Sequence, residues 1–430
     1  MAITDRLPPS LRHGEFRLFF FGSVATLVGS QFTTVAMLWQ IYDLTHSALW
    51  LAALGLSRAI PQMSLALLGG VLADAYDRRK FMMAMQSVQS IASLLLAVLA
   101  FTHQMTPIAL LLGNLAFAVG TAIETPSRQA VVANLVPRVD LTSAVALNNA
   151  GRNGAPALGA SLAGALLAFA GPGWCYLVDG LSWFFMIGAL SFIHRKLQSE
   201  RRSNISFKAV GEGIAFVKTQ RVVLSFMVLD FGATFFGTVQ TLLPIYAADI
   251  LRVGPAGLGL MVAAPSAGQV VTGFIMASIR SVRSAGRWVL IGIAIYGVCM
   301  AGIGVSRFFP LTLLLLVGTG VGNGISAVLR STSNNLLTPD DLRGRVAAVN
   351  SVFTGGGPQL GQFQSGLIAG AFGATAASLV GGFGVLILVG AIALVPEVRR
   401  FDLSAAIRAL NDPAPPPPPT PDPAGTPRSG

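Results

Sequence analysis

The chain has 430 residues, of which 53% are hydrophobic and only 11% charged, with a formal net charge of +11. Soluble domains carry about 25% charged residues, so this balance and a mean hydropathy of +0.67 exclude an ordinary water-soluble protein. The basic residues are not gathered into a groove-binding module, which excludes a nucleic-acid partner; they fall in short loops, as a membrane orientation signal does.

In chain order, the N-terminus does not read as a cleavable signal peptide, because its apolar run is too long and continues into Trp39-Gln40-Ile41-Tyr42. Twelve apolar spans follow, near 18–42, 47–73, 81–101, 107–125, 140–169, 173–193, 222–246, 256–279, 288–306, 309–329, 346–371 and 374–396. Each is near or above the ~20 residues that cross ~30 Å of hydrocarbon as a helix. Spans 140–169 and 346–371 are rich in Gly, Asn and Ser, which suits close helix packing. An even number of spans puts both termini on one side. Of the 29 Lys and Arg, only Arg252 and Arg307 fall in loops on the opposite side, and Arg58 and Arg152 fall within spans. The positive-inside rule then predicts cytoplasmic termini.

The second span ends in Gly69-Gly70-Val71-Leu72-Ala73-Asp74-Ala75-Tyr76-Asp77-Arg78-Arg79-Lys80. Two carboxylates and three cations in seven residues cannot lie in hydrocarbon, where each costs roughly 2.5–3.5 kcal/mol. The stretch reads as an aqueous hairpin. With Gly70, Asp74, Asp77, Arg78 and Arg79 in this order and position, it resembles the signature gating loop of the major facilitator superfamily of transporters. Asp77 stands where the superfamily pattern has Gly, and the Asp-Arg-Arg ending is similar to the exporter branch that holds siderophore and macrolide efflux proteins. The resemblance covers roughly residues 15–396. It implies gating by the loop, with Asp74 near Arg345, and a pathway lined by helices 1, 4, 7 and 10.

The chain also repeats itself. At a shift of 202 residues Arg128 meets Arg330, Pro137 meets Pro339, and Asn148 meets Asn350. Pro156, Leu158, Gly159 and Gly164 meet Pro358, Leu360, Gly361 and Gly366 in the same register. The predicted fold is therefore all-α and integral to the membrane: twelve transmembrane helices in two pseudo-symmetric six-helix bundles, 1–193 and 222–396. A basic linker, 194–221, carries Phe207, Val210, Ile214 and Val217 at helical spacing and predicts a surface-lying amphipathic helix. Its segment Glu212–Val217 is similar to the linker of the siderophore-exporter group, as is the lead-in Pro339–Arg345. Proline dominates the tail 397–430, whose composition predicts disorder.

Helix 5 carries Gly151, Pro156 and Gly159, echoed in helix 11 by Pro358 and Gly361. The first set resembles the antiporter signature of the superfamily, with Ala155 and Ala160 replacing two glycines, and implies export in exchange for protons. Charges inside spans are where coupling is sought. At 1.5 Å per residue Arg58 lies about 17 Å from the start of its span and Arg152 about 18 Å, both near the midplane. Asp179 is about 9 Å and Asp230 about 12 Å from their span starts, and Glu124 ends helix 4 beside Arg128. These five are the coupling candidates. The arginine that drug/proton antiporters carry on helix 4 is absent, since Ala116 stands four residues before Gly120. The implied pathway helices bring in Gln31, Phe32, Asn114, Phe117, Thr234, Phe235 and Asn323 as cavity candidates, a mix that suits a large, partly apolar organic substrate.

Neither a phosphate-binding Gly-rich loop with Lys nor a nucleophile or metal constellation occurs, so the chain predicts no enzyme, no cofactor and no metal. Cys175 and Cys299 have neither metal-ligand nor redox spacing. The expected protein is a monomeric exporter of a drug-like compound or siderophore in a bacterial cytoplasmic membrane, its partners substrate, protons and lipid. Proton-coupled uptake on the same fold is the alternative. From another class, a membrane scaffold or sensor would use the Pro-rich tail.

Overall fold

The computed structural model describes residues 8–75, 77–193, 207–279, 282–339 and 342–411; side chains of 66–75, 207–210 and a few scattered helical positions also lie outside the described set. Six long helices form the first half: α1 Gly14–Thr45, α2 Ala48–Ala75, α3 Arg78–Phe101, α4 Pro107–Leu135, α5 Leu141–Ala170 and α6 Pro172–Phe192. The linker contributes α7, Phe207–Thr219. The second half begins with α8, Arg221–Gly237, which continues through short irregular turns to Ile250, then α9 Gly254–Ser278, α10 Ala285–Val305 and α11 Phe309–Leu337. Arg343–Ala393 is two spans, α12 (343–372) and α13 (374–393), parted at Gly373. A short amphipathic helix, α14 Leu403–Asn411, lies beyond them. The Pro-rich stretch after it and linker residues 194–206 lie outside the described residues.

Two helices outrun their hydropathy. Span 107–125 extends to Leu135 and span 309–329 to Leu337. Apolarity stops where polar residues meet water or a polar interior, but the helical backbone runs on, with Pro126 the one residue in 126–135 and 330–337 that has no N–H to donate. Arg128 and Arg330, read from sequence as loop cations, are therefore inside helices. The repeat shows in the backbone as well. Gly171 closes α5 at φ +85° and Gly373, 202 residues later, closes α12 at φ +85°. That conformation is open to glycine and strained for any side chain.

Within the first half α1 packs on α5 and α6, α2 on α4, and α3 on α4 and α6. Within the second, α8 packs on α12 and α13, and α10 and α11 on each other. The halves meet along two seams, α2 against α12 and α5 against α9. Each of these four helices holds one internal proline: Pro61, Pro358, Pro156 and Pro265. The linker helix rests on α12, Val217 packing with Val346 and Val349.

Among the described residues the seams close at one end, the end opposite the termini, called the far end here. A Cβ at Gly164 would lie 2.5 Å from the Gly259 Cα, and one at Gly366 2.6 Å from the Ala52 Cβ. At Gly273, four turns from Gly259 on the same face, and at Gly355, three turns from Gly366, a Cβ would meet no described atom within 4 Å. The apolar core agrees. One large cluster at the far end draws on both halves, with Ile41 and Leu51 beside Leu242 and Met261. The clusters nearer the termini stay within one half each. Among the described residues the halves form a wedge, shut at the far end and parted at the basic end.

Gly164→Leu should hold the far end apart. Expected is faster labelling of a Met37→Cys reporter, a site only 2% exposed here, by a thiol reagent added from the far side. The measurement uses a Cys175→Ala/Cys299→Ala background, and an unchanged labelling rate would show that the glycine contact does not set the closure.

Candidate functional site

The open wedge narrows into a cavity of about 280 Å³ between the halves. Its charged lining is Arg58, Glu124, Arg128, Arg152 and Asp179, all from the first half. Amides come from both: Gln31, Gln89, Asn114 and Asn148 from one, Gln240 and Gln362 from the other. Phe117, Trp183 and Leu27 supply apolar wall.

Glu124 is buried at 3% exposure and sits at the centre of a network. Its Oε1 accepts from Gln86 Nε2 at 2.8 Å and from the Arg128 guanidinium at 2.9 Å, and its Oε2 accepts from Gln89 Nε2 at 3.2 Å. Because α4 continues for eleven residues past it, Glu124 is a cavity group within the helix and not the aqueous helix end expected from sequence. Gln89 lies directly against Gly120, where a Cβ would come within 2.8 Å of its side chain.

Asp179 on α6 is fully buried and faces α1. Its Oδ2 accepts from Thr33 Oγ1 at 2.7 Å and Ser93 Oγ at 2.9 Å, while its Oδ1 is buried without a hydrogen bond. Gly29 makes the approach possible, since a Cβ there would collide with the Ser182 Oγ at 2.0 Å. No described cation pairs with this carboxyl. Asp230 differs. It is bonded at 2.5 Å by Arg330, the two side chains being 14% and 7% exposed, and neither lines the cavity. Sequence reasoning had given Asp230 no cation, because it placed Arg330 beyond the span.

Arg58 and Arg152 make no hydrogen bond or ion pair to any described residue. Asn114, one turn from Arg58 in space, instead ties α4 to α2 by donating to Leu54 O at 2.8 Å and Ser57 Oγ at 2.9 Å. Of the other cavity candidates, Gln31 and Phe117 do line it. Phe32, Thr234, Phe235 and Asn323 do not. Phe32 is about 100° round α1 from Gln31 and packs into the far-end core. The Thr234 hydroxyl turns back to Asp230 O, Phe235 stacks on Phe231, and Asn323 stands between glycines that abut α9 and α10.

The hairpin residues play anchoring parts here. Asp77 caps α3 by accepting from the Arg79 N–H at 2.9 Å. The Arg79 guanidinium donates to Ile193 O and Ser191 O, each at 2.7 Å, and so satisfies the carbonyl end of α6. Arg78 is buried. The surroundings of Gly70 and the side chain of Asp74 lie outside the described set. Arg345, expected near Asp74, is engaged by Glu212 of the linker helix. In the repeat signature, Gly151 and Gly159 seat α5 on α1, a Cβ at Gly159 reaching Val28 O at 2.6 Å. Gly361 seats α12 on α8 in the same way, 2.6 Å from Phe235 O, while Pro156 and Pro358 sit inside their helices. At the far end, Tyr42 of α1 hydrogen-bonds Asp249 after α8, a cross-half contact the sequence did not reveal.

The profile of one family, described as transmembrane secretion effector, matches residues 6–418. The chain is 25% identical over 402 residues to the enterobactin exporter EntS of Salmonella typhimurium, covering 90% of this chain and 94% of that one. It is 24% identical over 182 residues to the staphyloferrin A transporter of Staphylococcus aureus, spanning 46% of that protein's length and 42% of its own. Among solved structures, a peptide-conjugate complex of a POT family transporter superposes with a TM-score of 0.72 at 13% identity, covering 92% of this chain and all of that one. An inward-facing bacterial homologue of the lysosomal transporter Spinster gives 0.65 at 14%, covering 95% and 99%.

The buried Asp230–Arg330 pair yields a direct expectation. Arg330→Ala leaves a carboxylate without its cation and should cost about 3–5 kcal/mol, read as a fall in folded yield and thermal midpoint. Asp230→Asn combined with Arg330→Gln should recover most of that loss. Wild-type stability in the single variant would show the pair carries no packing role.

Proposed function

The chain belongs to the transmembrane secretion effector family and has the fold of the major facilitator superfamily, and we propose that it exports a small organic molecule across a bacterial cytoplasmic membrane in exchange for protons. It is a multi-pass membrane transporter and not an enzyme. The observation that carries the export reading is the polar cavity between the halves, open at the basic end and shut at the far end. Loop charges favour a cytoplasmic basic end, so cargo would enter or leave this conformation from inside. A relative named as an enterobactin exporter matches nearly its whole length, which favours a siderophore or a drug-like compound as cargo. Gly151, Pro156 and Gly159 favour export over uptake through their antiporter resemblance.

Alternating access follows from rocking about the two seams. Opening the far end requires the glycine contacts at 164 and 366 to part, and closing the basic end requires the empty faces at Gly273 and Gly355 to be covered. For coupling, Asp179 is the favoured proton carrier. Of the two carboxyls on the cavity wall, Glu124 already holds Arg128, whereas Asp179 accepts from the Thr33 and Ser93 hydroxyls and pairs with no described cation. A carboxyl without a fixed cation can change charge without stranding one. Asp230, locked to Arg330, is the weaker candidate.

Cells expressing the protein should accumulate less of a transported dye or siderophore, and a proton ionophore should abolish the difference; dependence on sodium or ATP alone would remove proton exchange from the reading.

Asp179→Asn should fold, lose uphill efflux and keep downhill exchange, because binding and rocking survive. Uphill and downhill flux in proteoliposomes, with folded yield, make the test. Intact uphill transport would clear Asp179 of any coupling role.

A further inference from the structure

We propose that the cavity selects a small organic anion, held by Arg58 and Arg152 with its apolar body against Phe117 and Leu27. The proposal rests on the cavity being the transport site. Three arginines and two carboxyls line it. Glu124 is matched by Arg128 at 2.9 Å. Asp179 is turned into the α1–α3–α6 packing by Thr33 and Ser93. That leaves two guanidiniums without a carboxylate.

No described carboxylate pairs with either. Asp74 stands sixteen residues along α2 from Arg58, about 24 Å of helix. Arg152 lies eleven residues inside α5. Arg128 adds like-charge repulsion on Arg152. Guanidiniums are always charged and present forked donors that fit carboxylate, sulfonate or catecholate oxygens. Inside a membrane protein, uncompensated charge facing a cavity marks the substrate path.

The remaining lining agrees with an anion that is otherwise uncharged. Gln31, Gln240 and Gln362 can donate amide N–H groups, and Phe117 and Leu27 offer apolar surface. A cationic drug would meet a net positive wall. It would be repelled unless Asp179 moved out of its hydroxyl cradle.

The test isolates charge by using two probes with one ring system, 1-naphthoate and 1-naphthylmethylammonium. Equilibrium binding is measured on the full-length protein in lipid nanodiscs. Naphthoate should bind saturably and the ammonium should neither bind nor compete. Arg58→Gln and Arg152→Gln should each weaken naphthoate at least about tenfold, with Arg58→Lys and Arg152→Lys retaining a larger share. Thermal midpoints report whether each variant is folded, and the wild-type comparison of the two probes stands even if a Gln variant is not. Absent naphthoate binding, undiminished binding in folded Gln variants, or preferential binding of the ammonium would each overturn the proposal. Preferential ammonium binding would leave export itself standing, since the accumulation and ionophore measurements decide that separately.

Discussion

Lipid offers no hydrophobic reward for bringing two helices together, so helices in a membrane associate through close van der Waals contact at small residues. Everything here depends on that constraint at two places, Gly164 against Gly259 and Gly366 against Ala52. There backbone meets backbone with at most the Ala52 methyl between, which draws α5 to α9 and α12 to α2 at the far end. The far-end core and the Tyr42–Asp249 contact then form around the closed seams. With the far end drawn shut, rigid helices must splay at the other end, and the cavity is the space this leaves.

Each of the four seam helices holds an internal proline. A proline removes one i→i−4 bond and bends its helix. A bent helix can touch its partner at one end and diverge at the other, as these pairs do. Gly159 and Gly361 fix each bent helix to its own half, on α1 and α8. One turn and a half further on, Gly164 and Gly366 face the opposite half. A single small-residue motif thus divides its faces between a permanent contact and a breakable one, and the 202-residue repeat supplies it twice.

Much of this was legible in the sequence because hydropathy and register are strong signals. The twelve spans, the repeat from Arg128 to Gly366, and the amphipathic linker at Phe207–Val217 follow from them. Helix ends were less legible. Hydropathy falls where a helix turns towards a polar cavity, so α4 and α11 were cut before Arg128 and Arg330, and the Asp230–Arg330 pair was hidden by the same cut. The cavity wall was legible only in part. Gln31 and Phe32 are neighbours in sequence but about 100° apart on the helix, and in a helix that is polar and apolar by turns nothing local says which faces inward. Gln86 and Gln89 were missed altogether. Two amides three residues apart in an apolar α3 were a signal, since a buried amide needs partners, but α3 was not among the helices implied to line the path.

Charge is divided unequally between the halves, and that division bears on mechanism. Every charged side chain on the cavity wall comes from α2, α4, α5 or α6. The second half contributes Gln240 and Gln362 there, and it keeps its own carboxylate locked to Arg330 away from the cavity. A moving ion pair would drag two desolvated charges through the cycle, whereas neutral amides can exchange partners at small cost. The first half therefore carries the cavity's charge, with Glu124 anchored to α3 through Gln86 and Gln89. The second half is built as a wall that can leave and return. Since Arg58 and Arg152 lie on α2 and α5, the two seam helices of the first half, occupancy of those arginines and closure of the seams act on the same pair of helices. An anion bridging them would draw α2 and α5 together, and so couple the loading of cargo to the parting of the glycine contacts.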